Sequence, residues 1–384
     1  MRESLFFLKS NRKRGYLMAQ KFMTYEQQLI KLQADKGLTI PDADFARKTL
    51  EEISYYALIG GYKGLFLHPA SKKYKYGVTF DEIVAFYHFD EQLRSIFLKY
   101  ILQVERHLKS MISYHFTEKY GESQNEYLDP NNFDYVHHSK QVKRLVDSLI
   151  KTIAIPSHYR YIAHHARKYH NVPLWVAINA MTMGQTSAFY QYMPNDIQVK
   201  VSKAYPQYTE KQLHQFITVI AKCRNVCAHG ERLFDFRTTD MIPDTLLHSK
   251  LRIPCKKGLY QNGKKDLFAV LIALRYLISD TEFKTFRKNM AFLIKDVLKN
   301  ALISQKTSCL KKWVFLRIGQ RLHDTKNKLT LASIGASQLI FYKYHSFDYV
   351  SPSAFTFLVF LRDIYNNFFR AISDGIFWHF FCPF

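Results

Sequence analysis

The sequence predicts an all-α protein, a helical bundle built on long amphipathic helices. Three observations carry this: apolar residues recur at three- and four-residue steps, helix-start and helix-stop signals bracket those runs, and no sustained period-two alternation occurs anywhere in the chain. The first helix is expected over Tyr25 to Gln33. The second is expected over Asp42 to Ser54, where Pro41 and Asp42 stand as a helix start requires and Gly60-Gly61 reads as the stop. Thr79-Phe-Asp-Glu82 has the form of a capping box. Beyond it Ile83, Phe86, Leu93, Phe97, Tyr100, Ile101, Val104, Leu108 and Met111 predict one long helix to about Phe116. Further helices are expected over His138 to Ile155, Pro173 to Met193, Glu210 to Ala228 and Lys265 to Lys299. No internal repeat and no Pro/Gly/Ser-rich linker interrupts this body, so residues 23–302 are expected to form one domain.

Composition narrows the function classes. With 47% hydrophobic residues and a mean hydropathy of -0.23 the 384-residue chain reads as a globular protein. Five cysteines, an odd and sparse set, supply no disulfide framework and fit a reducing cytoplasm. The apolar stretch from Phe355 to Leu361 is followed at once by Arg362 and Asp363 and falls short of the roughly 20 residues a spanning helix needs, so no membrane-spanning segment is expected. Fifty-five Lys and Arg against 32 Asp and Glu give a net charge of +23. Such a surplus favours a polyanionic partner, because each basic residue at a phosphate releases a counterion; RNA or DNA leads, and an anionic membrane surface comes second.

Both ends differ from the body. Residues 1–22 carry six Lys or Arg and one Glu, with the basic residues after the short apolar run, the reverse of a secretion signal. Residues 303–384 contain no glutamate, ten Lys or Arg, four Asp and crowded aromatics such as FFRAISDGIFWHFF. Without either end, +12 remains on the body, so the basic character belongs to the body itself.

The constellation that offers chemistry is Cys223-Arg224-Asn225-Val226-Cys227-Ala228-His229-Gly230-Glu231-Arg232-Leu233, at the end of an apolar-periodic helix where Gly230 is a plausible stop. Five residues turn a helix by about 500°, so Arg224 and His229 are expected roughly 140° apart, whereas Asn225 and His229 share a face. Imidazole can move a 2′-hydroxyl proton near neutral pH, and guanidinium can stabilise charge developing on a phosphate; together they would cleave RNA without a metal and leave DNA untouched. The bare spacing is weak, since Arg160/His165 and Arg317/His323 match it too, and a capping Arg beside a helix-terminal His is the plain alternative. Cys223, Cys227 and His229 hint at zinc, but a second ligand pair is missing and cysteines four apart on a helix are more often core; neither metal nor cofactor is expected. Ser157 to His170 interleaves Arg160, Arg167 and Lys168 with Tyr159, Tyr161, Tyr169 and four histidines, a surface able to meet phosphates and stack bases, or else a solvated helix face. No phosphate loop, Ser-His-Asp set or paired carboxylates stand at a usable spacing.

Six ordered segments carry a resemblance. Tyr55-Tyr-Ala-Leu-Ile-Gly-Gly-Tyr-Lys63, Gly77-Val-Thr-Phe-Asp-Glu-Ile83, Tyr87-His-Phe-Asp90 with Leu93-Arg94, Pro173-Leu-Trp-Val176 with Gly184, Arg224-Asn-Val-Cys-Ala-His229, and Arg232-Leu233 resemble the AbiD/AbiF-like abortive-infection proteins in content and order, over Tyr25 to Leu302. That family is placed in the HEPN superfamily, so the resemblance implies a HEPN-like bundle and a bacterial phage-defence role. It further implies a homodimeric ribonuclease with Arg224, Asn225 and His229 as catalytic residues; the RNA partner is expected to be met by the basic residues Arg160, Arg167, Lys168 and Arg232. Some members of the superfamily bind RNA without cutting it, so a non-catalytic RNA binder associated with a structured small RNA, and a scaffold recognising a phage protein, remain as alternatives. Asn179 stands where many relatives resemble one another in carrying an acidic residue. Relatives end soon after a helix like Lys265 to Lys299 with a segment resembling Lys-Met-Gly-Phe-Pro-Glu-Asn-Trp; codons for its Met-to-Trp part, read one nucleotide late, spell Trp-Val-Phe-Leu-Arg-Ile-Gly, which stands here at Trp313 to Gly319. A frameshift between about Leu302 and Lys312 is therefore expected, with a poorly ordered, aberrant tail over 303–384 and a non-native leader over 1–22; a locus in which no single-base change restores the family ending would refute it.

Overall fold

The computed structural model describes residues 21–304, apart from 155–157, 206–207 and 252, with side chains to residue 296. The expectations for the leader and the tail fall almost wholly outside these residues. The described chain is all-α save for one two-stranded hairpin, and it divides into two compact units between Val84 and Ala85.

In the first unit, α1 (Tyr25–Ile30) starts at a capping box between Thr24 and Gln27 and runs on as a wider turn over Lys31–Asp35. The next helix, α2 (Ala43–Ile53), is capped by Asp42, whose Oδ1 accepts from the Phe45 amide at 2.9 Å. The expected stop at Gly60-Gly61 is corrected. The chain breaks earlier, at Ser54, in left-handed backbone (φ 71°), and the Ser54 hydroxyl then accepts from Ala57 N–H and caps the following turn. Gly60 and Gly61 lie inside helical backbone that continues into α3 (Gly61–Phe66); a Cβ at Gly60 would meet the Tyr56 ring at 3.4 Å, an ordinary van der Waals contact, so neither space nor backbone demands glycine there. Leu32, Leu38, Leu50, Leu58, Ile59, Tyr62, Phe66 and Val78 are buried in this unit.

The Thr79 capping box forms as read: Thr79 N–H donates to Glu82 Oε2 at 3.0 Å, and Glu82 N–H to Thr79 Oγ1 at 3.3 Å. It opens α4 (Phe80–Tyr120), four residues longer than expected. The second unit contains most of α4, then α5 (Gln124–Leu128), α6 (Tyr135–Ala154), α7 (Arg160–Tyr169), α8 (Leu174–Ala177), α9 (Met183–Tyr192), α10 (Asn195–Ser202) and α11 (Glu210–Ala228). After α11 come α12 (Leu246–Lys250), a hairpin of β1 (Cys255–Lys256) and β2 (Leu259–Tyr260), α13 (Leu267–Leu277) and α14 (Asp280–Ser304). Both turn residues of the hairpin, Lys257 and Gly258, have positive φ, which suits a two-residue hairpin turn.

Two expected helices are split, each at a capping box. Thr182 and Gln185 cap each other to start α9, separating it from α8, and Ser279 and Glu282 do the same between α13 and α14. In both places the residue before the cap, Met181 or Ile278, is extended. The helix over α11 matches its expected bounds residue for residue. It packs against α9, α10 and α13, burying Leu213, Phe216, Ile217, Val219, Ile220 and Cys223.

Candidate functional site

The end of α11 is closed by its own backbone. Gly230, at φ 69°, donates to Cys227 O, and Glu231 N–H donates to Val226 O at 3.0 Å, the paired bonds of a Schellman motif. His229 is thereby the last residue of the helical turn, its amide donating to Asn225 O at 2.9 Å. The ring of His229 and the side chain of Asn225 are exposed and make no hydrogen bond among the described residues.

Arg224 points elsewhere. Its side chain is 26% exposed and reaches back to α4, where Nε lies 3.5 Å from Glu105 Oε2. Glu105 is buried, and its other oxygen takes the Lys109 ammonium at 2.8 Å; Lys109 in turn donates to Met181 O at 2.6 Å, in the break between α8 and α9. Thus Arg224 faces a buried carboxylate while Asn225 and His229 face solvent, as the angular spacing predicts. No hydrogen bond joins Arg224 to His229 among the described residues.

A second buried pair fixes the chain that leaves the site. Asp90 and Arg94, one turn apart on α4, pair at 2.9 Å, and Arg94 Nη1 also donates to Glu231 O at 3.3 Å. Asp90 accepts the amides of Leu233 at 3.0 Å and Phe234 at 2.8 Å. Residues 231–234 are therefore anchored to α4 immediately after His229. Arg232, within this segment, is exposed and lies 3.6 Å from Asp235.

The other expected RNA-binding residues sit on a different element. Arg160, Arg167 and Lys168 are exposed on α7, whose sole buried residue is Ile162, and Lys168 lies over the Tyr169 ring at 5.0 Å. His170 ends this helix in left-handed backbone (φ 49°). No Asp or Glu occurs from Ser148 to Asn195, so this stretch adds positive charge with no carboxylate of its own to offset it. Asn179 bonds the Trp175 carbonyl at 2.7 Å, a local cap on α8. Cys223 and Cys227 face the core, where burial pushes the Cys223 thiol upward, while His229 faces solvent; among the described residues no three His, Cys, Asp or Glu side chains stand close enough to share a metal ion.

Sequence reasoning missed Glu105 and Lys109. The signal was present: Asp90, Arg94, Glu105, Lys109 and Ser113 all fall on the buried stripe of α4, at the steps that otherwise carry Phe89, Leu93, Val104, Leu108 and Ile112 one position earlier. Charged residues on such a stripe are paired or costly, which marks them for attention.

Residues 48–235 match the family described as Abi-like protein, a span holding α4, α7, α11 and every residue of the candidate site. An Abi-like segment in a helical protein points to abortive infection, a form of phage resistance. The chain belongs to the Abi-like protein family. Neither a curated protein nor a solved structure matches it. Among the described residues no helix is long and apolar enough to cross a membrane.

Proposed function

We propose that this protein restricts phage as a cytoplasmic ribonuclease of the HEPN type that needs no metal, with Arg224 stabilising the scissile phosphate and His229 moving the 2′-hydroxyl proton. The observation that carries the reading is the division of labour at the end of α11. A restrained guanidinium and an exposed imidazole with no hydrogen-bond partner among the described residues lie within one turn and its cap. Attack by the 2′-oxygen on the adjacent phosphorus breaks the P–O5′ bond, leaving a 2′,3′-cyclic phosphate and a 5′-hydroxyl; His229 takes the 2′ proton as base, and a second general acid protonates the leaving oxygen. In a homodimer that acid would be His229 of a second copy, and Asn225, beside Arg224, would orient the phosphate. Arg160, Arg167, Lys168 and Arg232 would hold the rest of the RNA through its backbone.

The test is cleavage of RNA in chelator by the wild type, Arg224→Ala and His229→Ala, with equal melting temperatures as the control for folding. Loss of cleavage and of cellular toxicity in both variants is the expected result; cleavage retained by both overturns the assignment. The uncompensated positive stretch around α7 favours a second reading, a non-catalytic RNA binder. That reading predicts bound RNA and a steep salt dependence with no cleavage that depends on His229. A co-purified phage polypeptide with no RNA would favour a scaffold over both.

A further inference from the structure

We propose that Glu105 is a positioning residue for Arg224, with Lys109 as its fixed counter-charge; the inference rests on reading Arg224 as the cation that meets phosphate. Glu105 Oε2 and Arg224 Nε are both inaccessible to water, and neither has a hydrogen-bond partner among the described residues. They face each other at 3.5 Å. A buried carboxylate oxygen and a buried guanidinium N–H left without other partners are costly, so each restrains the other.

The arrangement restrains Arg224 without neutralising it. Lys109, at 2.8 Å, already balances the Glu105 charge, and the Met181 carbonyl steadies the ammonium from the far side. The group of three therefore keeps one net positive charge, and the most exposed member is Arg224. Contact through Nε leaves both terminal nitrogens of the guanidinium unbonded among the described residues, the edge that forks onto two phosphate oxygens. Lysine in place of Arg224 would have no Nε to be held in this way. Glu105 and Lys109 thus set where the fork stands, and through Met181 they tie that position to the start of α9.

The experiment is a double-mutant cycle read as affinity for a labelled single-stranded 2′-O-methyl RNA oligonucleotide, which binds without being cut. Glu105→Gln alone strands Lys109 as an unpaired buried charge, so the cycle uses Glu105→Gln with Lys109→Met, which leaves net charge unchanged. Glu105→Asp, which shortens the reach by one methylene and keeps the charge, is run in parallel in case that pair disturbs folding. Arg224→Ala should weaken binding about tenfold, as expected for lost charge-assisted bonds. Either change at Glu105 should weaken it about three- to tenfold in the wild-type background and have no further effect in the Arg224→Ala background. Equal weakening in both backgrounds means a merely structural role and overturns the proposal, as does no weakening in either. Wild-type cleavage of ordinary RNA is scored separately: its absence with the coupling intact refutes the ribonuclease and leaves the positioning role standing.

Discussion

Replacing Asp90 with Asn should cost about 3–5 kcal/mol of stability, although the two side chains are nearly the same shape. Asp90 is fully buried and accepts at least three bonds among the described residues, one oxygen from Phe234 N–H and the other from Leu233 N–H and the Arg94 guanidinium. An amide has one acceptor oxygen. Turned to keep Leu233 and Arg94, it sets its NH2 against the Phe234 amide and leaves that buried donor unmet, at about 1–3 kcal/mol. It also removes the counter-charge of a buried arginine; breaking such a pair from one side costs about 3–5 kcal/mol, a figure that overlaps with the first. Urea unfolding followed by circular dichroism checks this, with the loss read at an unchanged slope. Adding Arg94→Met should recover part of the loss, because the buried guanidinium that faced the Asp90 carboxylate goes with it. A loss under about 1 kcal/mol for Asp90→Asn would refute the reasoning.

Three further expectations follow from the same geometry. Gly230→Ala should destabilise by about 1–2 kcal/mol and Gly230→Asn by less, measured by thermal melting; no atom lies within 4 Å of the missing Cβ, so the cost is backbone strain at φ 69° and nothing steric. Stability should fall on acidification below pH 6.5, because burial holds the folded-state value of His248 below its ordinary 6.5: Nδ1 accepts from Thr245 and Nε2 donates to Gly263 O, so the neutral ring is the one that fits. Its contribution is complete above the unfolded value and is lost as pH falls through the folded one; His214, depressed by the same cause, acts in the same direction. Urea midpoints at pH 7.5 and 5.0 read the fall, and a drop undiminished in His248→Asn would exclude His248 as a source. Finally, Arg160→Gln, Arg167→Gln and Lys168→Gln together should reduce the slope of log affinity for single-stranded RNA against log salt by about 2, at roughly 0.7 per phosphate contact; an unchanged slope would take α7 out of the RNA-binding surface.

How far the sequence could be read depends on where each signal lives. The bounds of α11 were legible because both are local: Thr209 reciprocates with Gln212 at one end, and Gly230 takes left-handed backbone at the other. The breaks before α9 and α14 are written just as locally, as Thr182-Met-Gly-Gln185 and Ser279-Asp-Thr-Glu282. Apolar periodicity on either side masked them, and periodicity cannot see a break that leaves the stripe nearly in phase. Gly60-Gly61 misled because glycine permits a stop without compelling one. At the site, the placement of Arg224 against His229 follows from helix geometry alone. What Arg224 faces does not, because Glu105 lies 119 positions earlier in the chain and meets it only through the packing of two helices.

The length of α4 has a bearing on how this chain can change. Asp90 and Glu105, the two carboxylates that hold the neighbourhood of His229, are fifteen positions apart on one uninterrupted helix. Inserting or deleting a single residue between them would rotate one against the other by about 100° and slide it by about 1.5 Å, taking either Leu233 and Phe234 or Arg224 off its anchor. Even a seven-residue deletion, which nearly restores the angle, shifts one anchor by about 10 Å. The interval from Asp90 to Glu105 is therefore a ruler: it can accept substitutions along its outer face, but its length is closed to variation for as long as both anchors are needed.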